Sequence, residues 1–482
     1  MRQPLDQLDE RDPRRWLILA ICCMSLFIVG LDATVVNVAL PSIRTDLHAS
    51  VAQLQWTIDA YTLTLAALLM LSGSTADRLG RARVFQLGLV LFTLGSLLCS
   101  IAPNVQLLIA FRVVQAIGGS MLNPVAMSII RNTFADARER AQAIGIWGGV
   151  IGISMAFGPV VGGLLVEAVG WRAIFWINVP VGIAAVLLTA RFVPESKAPR
   201  ARRLDPIGQA LVILLLVSLT YGIIEAPSSG WTSGKSVALF ATAAVALVGL
   251  IAYELRRREP LIDVRFFRSA PFSGATAIAV ASFAALGGFL FLNSLYLQEG
   301  RHFSPLHAGL WMVPMAAMTL VFGPISGRFV GRLGSRPSLV LGGAGMLFGA
   351  LLLTDLSQTT SFLHLLVAYG LFGIGLGFVN PPITNTAISG MPADQAGVAA
   401  AVASTSRQVG NSLGVAVLGA IAVPASAVVV PGQIASAGHV GWWLITGCGA
   451  IVLVLGLATT SRWAQGTASR TAALLREQPV GA

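Results

Sequence analysis

Fourteen apolar segments follow one another along the 482 residues, each close to the length a helix needs to cross a bilayer. A hydrocarbon core about 30 Å thick takes about 20 apolar residues of helix. Backbone N–H and C=O groups find no water in that core, so segments of this kind form helices that satisfy themselves. The first six centre near Ile28, Leu65, Leu91, Val114, Ile151 and Ile183. Two more centre near Leu214 and Val245, and the last six near Ala284, Ala317, Gly345, Gly373, Val409 and Ile451. Composition agrees, with 55 % hydrophobic and 11 % charged residues, where a soluble chain has about 25 % charged. The fold class is therefore an all-α polytopic membrane protein with fourteen transmembrane helices.

Arginine and lysine give the orientation, because they accumulate in cytoplasmic loops. Alternating the loops from an inside N-terminus places 26 of the 32 basic residues inside and four, Arg44, Arg172, Lys235 and Arg301, outside. Both termini are then cytoplasmic. Arg112 and Arg407 fall within segments. The net charge of +11 sits in short loops and forms no basic domain, so no nucleic-acid partner is expected. Cys22, Cys23, Cys99 and Cys448 lie in apolar runs with no CxxC or Cys/His cluster, which excludes a zinc or disulfide framework. The first apolar run is too long for a signal-peptide core and reads as a retained span.

An internal repeat divides the chain. Gly73-Ser-Thr-Ala-Asp-Arg-Leu-Gly-Arg81 is similar to Gly327-Arg-Phe-Val-Gly-Arg-Leu-Gly334 at an offset of 254 residues. Each copy follows the second segment of a block of six. The expected organisation is a cytoplasmic tail at 1–15, a six-helix half at 16–191, a linker with two extra helices at 192–268, a second six-helix half at 269–460, and a tail at 461–482. Repeated halves with a substrate path between them are a common plan for secondary transporters.

Charges inside segments are the chemistry-bearing residues. An acid within a span costs about 2.5–3.5 kcal/mol on insertion scales, so it marks a cavity, a partner charge or a transported species. Asp32 is such an acid, and Asn37 continues its polar stripe. Arg112 is a permanent cation in the fourth segment, with Gln115 on the same face; it needs a carboxylate or several carbonyls, or it snorkels to the outer surface. Asp59 lies between Trp56 and Tyr61, an arrangement suited to lipophilic cations but equally to an outer-interface residue. Gly73 permits close helix contact, and Gly80 a turn with positive φ, around Asp77, Arg78 and Arg81. The fifth segment is rich in glycine and carries Gly158, Pro159 and Gly162, a pattern for close packing and a bend. In the last block Asn293, Tyr296 and Asn380 offer polar groups, and Phe283, Phe289 and Phe291 with Tyr296 suit either a wide pocket or a lipid face. Arg407 reads as an extension of the inner basic pattern.

These motifs together resemble the major facilitator superfamily, in its fourteen-span drug:proton antiporter branch. Leu31-Asp-Ala-Thr-Val-Val-Asn-Val-Ala-Leu-Pro41 is similar to the branch's first-helix signature, and Gly73 to Arg81 to the loop 2–3 motif. Arg112, Gln115 and Gly118 match the fourth-helix motif; Gly148, Gly152, Gly158, Pro159, Gly162 and Gly163 match the antiporter motif. Gly170-Trp-Arg172, Phe175, Asn178 and Pro180 match the entry to the sixth helix. The second loop copy departs from the pattern, with Gly331 at the place of Asp77.

The resemblance implies a proton-coupled antiporter in a plasma membrane, bacterial in kind, that exports lipophilic and chiefly cationic drugs. Asp32 and Arg112 would carry proton coupling. Asp59, Trp56, Tyr61, Asn37, Gln115, Asn293, Tyr296 and Asn380 would line the substrate space. Gly73, Asp77, Arg78, Gly80, Arg81, Gly158, Pro159 and Gly162 would serve the change between states. No cofactor, metal or catalytic residue is implied, and the chain has no nucleotide-binding loop. The expected partners are small lipophilic substrates, protons and membrane lipids; a monomer suffices, and the oligomeric state is open. Export of an endogenous metabolite, antibiotic or lipid satisfies the same features. Import and a non-transporting scaffold or sensor satisfy the composition, although paired charges in the first and fourth segments argue against the last.

Overall fold

The structure is a computed structural model that describes residues 14–134, 136–197, 204–257, 260–392, 395–422 and 431–477. Most of the expected N-terminal tail, the end of the C-terminal tail, and the loop charges Arg200, Arg202, Arg203 and Arg258 lie outside the described residues. The helices in chain order are α1 Arg14–Leu47, α2 Val51–Leu79, α3 Arg81–Ser100, α4 Val105–Thr133, α5 Ala137–Ala168, α6 Ala173–Trp176 and α7 Asn178–Phe192. Then come α8 Pro206–Ser229, α9 Gly234–Glu254, α10 Ala270–Leu295, α11 Pro305–Trp311 and α12 Val313–Leu333. The last are α13 Ser335–Leu351, α14 Phe362–Ile388, α15 Ala396–Ala422, α16 Pro431–Thr459 and α17 Arg462–Glu477. Among the described residues no strand is present.

Twelve helical stretches among the described residues are long and apolar enough to cross a membrane, against the fourteen expected. The two that fall short have identifiable reasons. Helix α13 has only 17 residues. Helix α15 is long enough at 27 residues, but Arg407, Gln408 and Asn411 interrupt its apolar run. The expected C-terminal tail is also partly ordered, because α17 packs against α10.

Helices α1–α7 pack on one another as a first bundle, and α10–α16 as a second. Helices α8 and α9 pair with each other, and α8 leans on both α2 and α15. Gln209 of α8 donates to the Ala67 carbonyl of α2 at 2.5 Å. The sequence repeat is visible in the backbone: Gly80 and Gly334 end α2 and α12 with φ of 117° and 81°, values that side chains rarely tolerate. Helix starts are capped locally. Ser50 and Gln53 form a reciprocal capping box on α2, and Asn104 accepts from Leu107 N at the start of α4.

Small residues set the close approaches. A Cβ at Gly414 would overlap the Ala284 carbonyl, and one at Gly410 the Val280 carbonyl, so α15 lies backbone to backbone on α10. On α5, Gly158 sits against Thr34 and Gly162 against Val35, which seats α1. The same stretch meets the second bundle: Gly309 of α11 sits against the Pro159 carbonyl, and Gly163 against Pro305. Dispersion across such contacts drives helix association where lipid removes the hydrophobic advantage.

The bundles are joined at one end. Arg44 of α1 pairs with Glu299 at 2.9 Å. Ser294 donates to the Asn37 carbonyl at 2.6 Å and Gln298 to the Val38 carbonyl at 2.9 Å. Gln55 of α2 donates to the Val415 and Ala416 carbonyls at 3.1 and 2.9 Å, and Leu306 N to Glu167 at 3.1 Å. Toward the other end, a Cβ at Gly145, Gly148 or Gly149 of α5, or at Gly323, Gly327 or Gly331 of α12, would meet nothing within 4 Å.

Candidate functional site

Asp32 and Arg112 meet inside the first bundle. The Arg112 Nη1 donates to Asp32 Oδ2 at 2.5 Å, and both side chains are almost wholly buried. Gln115 completes a ring: its Nε2 donates to Asp32 Oδ1 at 2.9 Å, and its Oε1 accepts from Arg112 Nη1 at 2.7 Å. Asn178 Nδ2 reaches the same Oδ1 at 3.3 Å. The Arg112 Nε donates to the Thr57 carbonyl at 3.1 Å, and the Tyr61 ring lies 4.0 Å from the guanidinium carbon. Ser96 accepts from both Gln115 and Asn178, and donates to the Phe175 carbonyl at 3.0 Å. Snorkelling of Arg112 is thereby excluded.

Local structure explains why these groups converge. A Cβ at Gly95 would come within 2.5 Å of the Gln115 Cα, so α3 can press its Ser96 turn onto α4. Phe175 and Asn178 flank the break between α6 and α7. Pro180 follows Asn178 by two residues and has no N–H to give to the preceding turn. Asn178, in the first turn of α7, directs its side-chain amide at Asp32.

Other expected site residues lie elsewhere. Asn37 does not join Asp32; its amide bonds back to the Ala33 and Thr34 carbonyls at 3.3 and 3.5 Å. Asp59 is fully buried rather than interfacial, accepts from Thr62 at 3.3 Å and has Ser412 of α15 beside it. Its Oδ2 has no hydrogen-bond partner. Trp56 packs on Tyr221 of α8, ring centres 5.5 Å apart. Tyr61 shields Arg112. Asn293 is buried and accepts from Tyr369. Tyr296 is a buried anchor whose hydroxyl donates to the Ser357 carbonyl at 2.6 Å. Phe289 stacks on Phe372 at 4.8 Å and Phe291 is equally buried, so these rings form core and line no pocket. Asn380 is exposed, and its carbonyl accepts from Arg407 at 3.3 Å.

At the loop after α2, Asp77 pairs with Arg81 at 2.8 Å, one turn on, and with no residue of the second bundle. Arg78 is exposed. Gly80 has the expected positive φ, and a Cβ there would meet the Glu195 carboxylate at 2.5 Å. Gly73 is not tightly packed, since its Cβ would meet Pro124 at an ordinary 3.9 Å. The roles of Ser96, Asn178 and Thr57 at the charge pair were not expected. A hydroxyl, a helix-end amide and a backbone carbonyl carry little signal in one sequence. No group of three or more His, Cys, Asp or Glu able to hold a metal is present among the described residues.

A helical membrane protein with a buried ion pair inside one of two joined bundles has the form of a solute transporter. Residues 22–415 match the family described as the Major Facilitator Superfamily, and the chain belongs to it. It is similar to the "Multidrug resistance protein Stp" of Mycobacterium tuberculosis, with 37 % identity over 84 % of this chain and 75 % of that one. It is also 37 % identical to the "Tetracenomycin C resistance and export protein" of Streptomyces glaucescens, over 85 % of this chain and 76 % of that one. Among solved structures, a peptide transporter crystallised with sulfate aligns over 95 % of both chains with a TM-score of 0.67 at 14 % identity. That likeness shows the fold alone.

Proposed function

We propose that the protein is a proton-coupled exporter of lipophilic drugs in a plasma membrane, with Asp32 as the coupling group and Arg112 as its counter-charge. The buried Asp32–Arg112 pair is the observation that carries this reading. A proton delivered to Asp32 cancels the charge that holds Arg112. The guanidinium keeps neutral acceptors in Gln115 and Thr57, and Asn178 and Ser96 are placed to feel the change. Loss of the proton restores the pair. The work is done by one carboxylate exchanging between two partners, with no covalent step. The names of the relatives, which include multidrug resistance and export, support drugs as the cargo.

The finer topology belongs to the same proposal. Helices α13 and α15 cross with the twelve apolar stretches, giving fourteen spans, with six in each half and α8 and α9 between. With the basic loops on the cytoplasmic side, the joined end of the bundles is external and the space between them opens inward. Asp32 is paired with Arg112 inside the first bundle, so a preference for cationic drugs rests on Asp59.

Asp32→Asn is the test. It keeps the size of the side chain and removes the proton. Everted vesicles carrying the variant should take up no drug on energisation, while the purified protein remains folded. Undiminished proton-driven uptake would remove Asp32 from coupling.

A further inference from the structure

We propose that Arg407 is an anchor for the carboxylate of a substrate on the second-bundle wall of the transport space; this rests on the export reading above. Arg407 stands eleven residues into α15, about 16 Å along the helix axis. Its guanidinium reaches only neutral acceptors. Nη2 donates to Thr384 Oγ1 at 2.7 Å and to the Asn380 carbonyl at 3.3 Å, and Nη1 to Ser404 at 3.4 Å. The Nε is buried and has no acceptor. The ring of Phe283 on α10 lies 5.9 Å from the guanidinium carbon.

No described acid supplies the missing charge. Asp263 pairs with Arg265, Glu299 pairs with Arg44, and Asp355 is exposed in the turn after α13. An arginine does not lose its proton in a protein. A cation retained within a span without a carboxylate therefore costs free energy that packing does not explain, which is the ordinary mark of a functional group in a membrane. Its direction agrees. Arg407 points toward α10 and α14, on a helix that packs against α2 of the first bundle. Asn380 beside it is exposed. A polar side chain facing lipid is costly, so an exposed amide beside Arg407 fits a face that borders water. The planar fork with a free Nε suits a two-oxygen anion, and Phe283 adds an aromatic surface for an apolar body.

The test uses three matched fluorescent probes on the full-length protein: 1-pyrenebutyrate, its methyl ester, and the corresponding trimethylammonium. Binding is measured on purified protein in nanodiscs and proton-driven uptake in everted vesicles. Arg407→Gln should weaken pyrenebutyrate binding about tenfold or more, as loss of a charge-assisted bond does, and leave ester and ammonium unchanged. Arg407→Lys keeps the charge without the fork and should fall between, with the acid alone affected; it also serves where the glutamine variant fails to fold. Equal weakening of acid and ester, or no change for the acid, would overturn the assignment. Acid binding that responds to Arg407 without proton-driven uptake of any probe would overturn the export reading and leave the anchor standing. Uptake of all three probes with no selective response would overturn the anchor alone.

Discussion

The two bundles differ in that only the first encloses a fully buried ion pair among the described residues. In the first, the described buried charges are matched or adjoin neutral partners: Asp32 faces Arg112, Arg15 faces Glu139 at 2.7 Å, and Asp59 takes a hydroxyl from Thr62. The second is built on apolar contact, with Phe289, Phe372, Tyr369 and Trp442 clustered in its core, and within α15 it carries Arg407 among neutral acceptors. A matched pair can exchange a proton without leaving a bare charge at either stage. An unmatched cation can receive a partner from outside the protein. Under the proposed function, energy coupling falls to the first bundle and a share of recognition to the second.

The contrast is broken most directly at Arg112. Arg112→Ala leaves Asp32 buried and unpaired, and it should cost about 3–5 kcal/mol of stability as well as proton-driven uptake. Thermal unfolding in detergent measures the first and vesicle uptake the second. A variant as stable as the parent would mean the pair is not what organises the first bundle. Packing gives the next effect. Gly414→Leu should destabilise by about 1–3 kcal/mol because α15 has no room against α10. Gly148→Leu on α5, where a Cβ meets nothing within 4 Å, should change stability by less than about 0.5 kcal/mol. Similar values for the two would erase the difference between a fused helix pair and a free face.

Asp59→Asn sharpens the recognition side. Divalent cationic drugs should lose most, by about tenfold in apparent affinity, monovalent cations less, and neutral drugs least because Asp32 still couples. Efflux competition across the three classes reads this out. Equal loss in all would move Asp59 into folding or coupling. A small effect on transport is expected of Arg44→Gln at the joined end. Its partly exposed pair with Glu299 is worth about 0.2–1 kcal/mol, so the variant should shift thiol-reagent access modestly toward an outward-open form without abolishing transport. Abolished transport would show that this contact does more than hold two bundles together.

Much of this was legible in the chain. Asp32 and Arg112 are 80 residues apart, yet two opposite charges inside apolar segments have few ways to be tolerated except together. The Gly80 turn was legible for a similar reason, since a turn between two long helices needs positive φ; Gly334 adopts the same conformation in the second half. Trp56 was misplaced because its real neighbour, Tyr221, lies on a helix outside the repeat, whose docking site no periodicity reveals. Tyr296 was misplaced because a hydroxyl that anchors a loop and one that lines a cavity look alike in sequence. The segment near Val409 reads as a span, but Arg407, Gln408 and Asn411 lower the apolar character of α15, and it is not among the twelve stretches apolar enough to cross.

The seam at the joined end includes single hydrogen bonds to carbonyls, such as Ser294 to Asn37 and Gln55 to Val415 and Ala416. A bond of this kind is worth about 0.5–1.5 kcal/mol net. Under the proposed coupling, one proton falling through 100 mV delivers about 2.3 kcal/mol. The latch and the fuel are thus of one denomination: a single proton suffices to undo two or so of these bonds, and water can replace each bond as it breaks. A seal of interlocked aromatic rings would have to part all at once, and a fuel that arrives one charge at a time is poorly suited to that task.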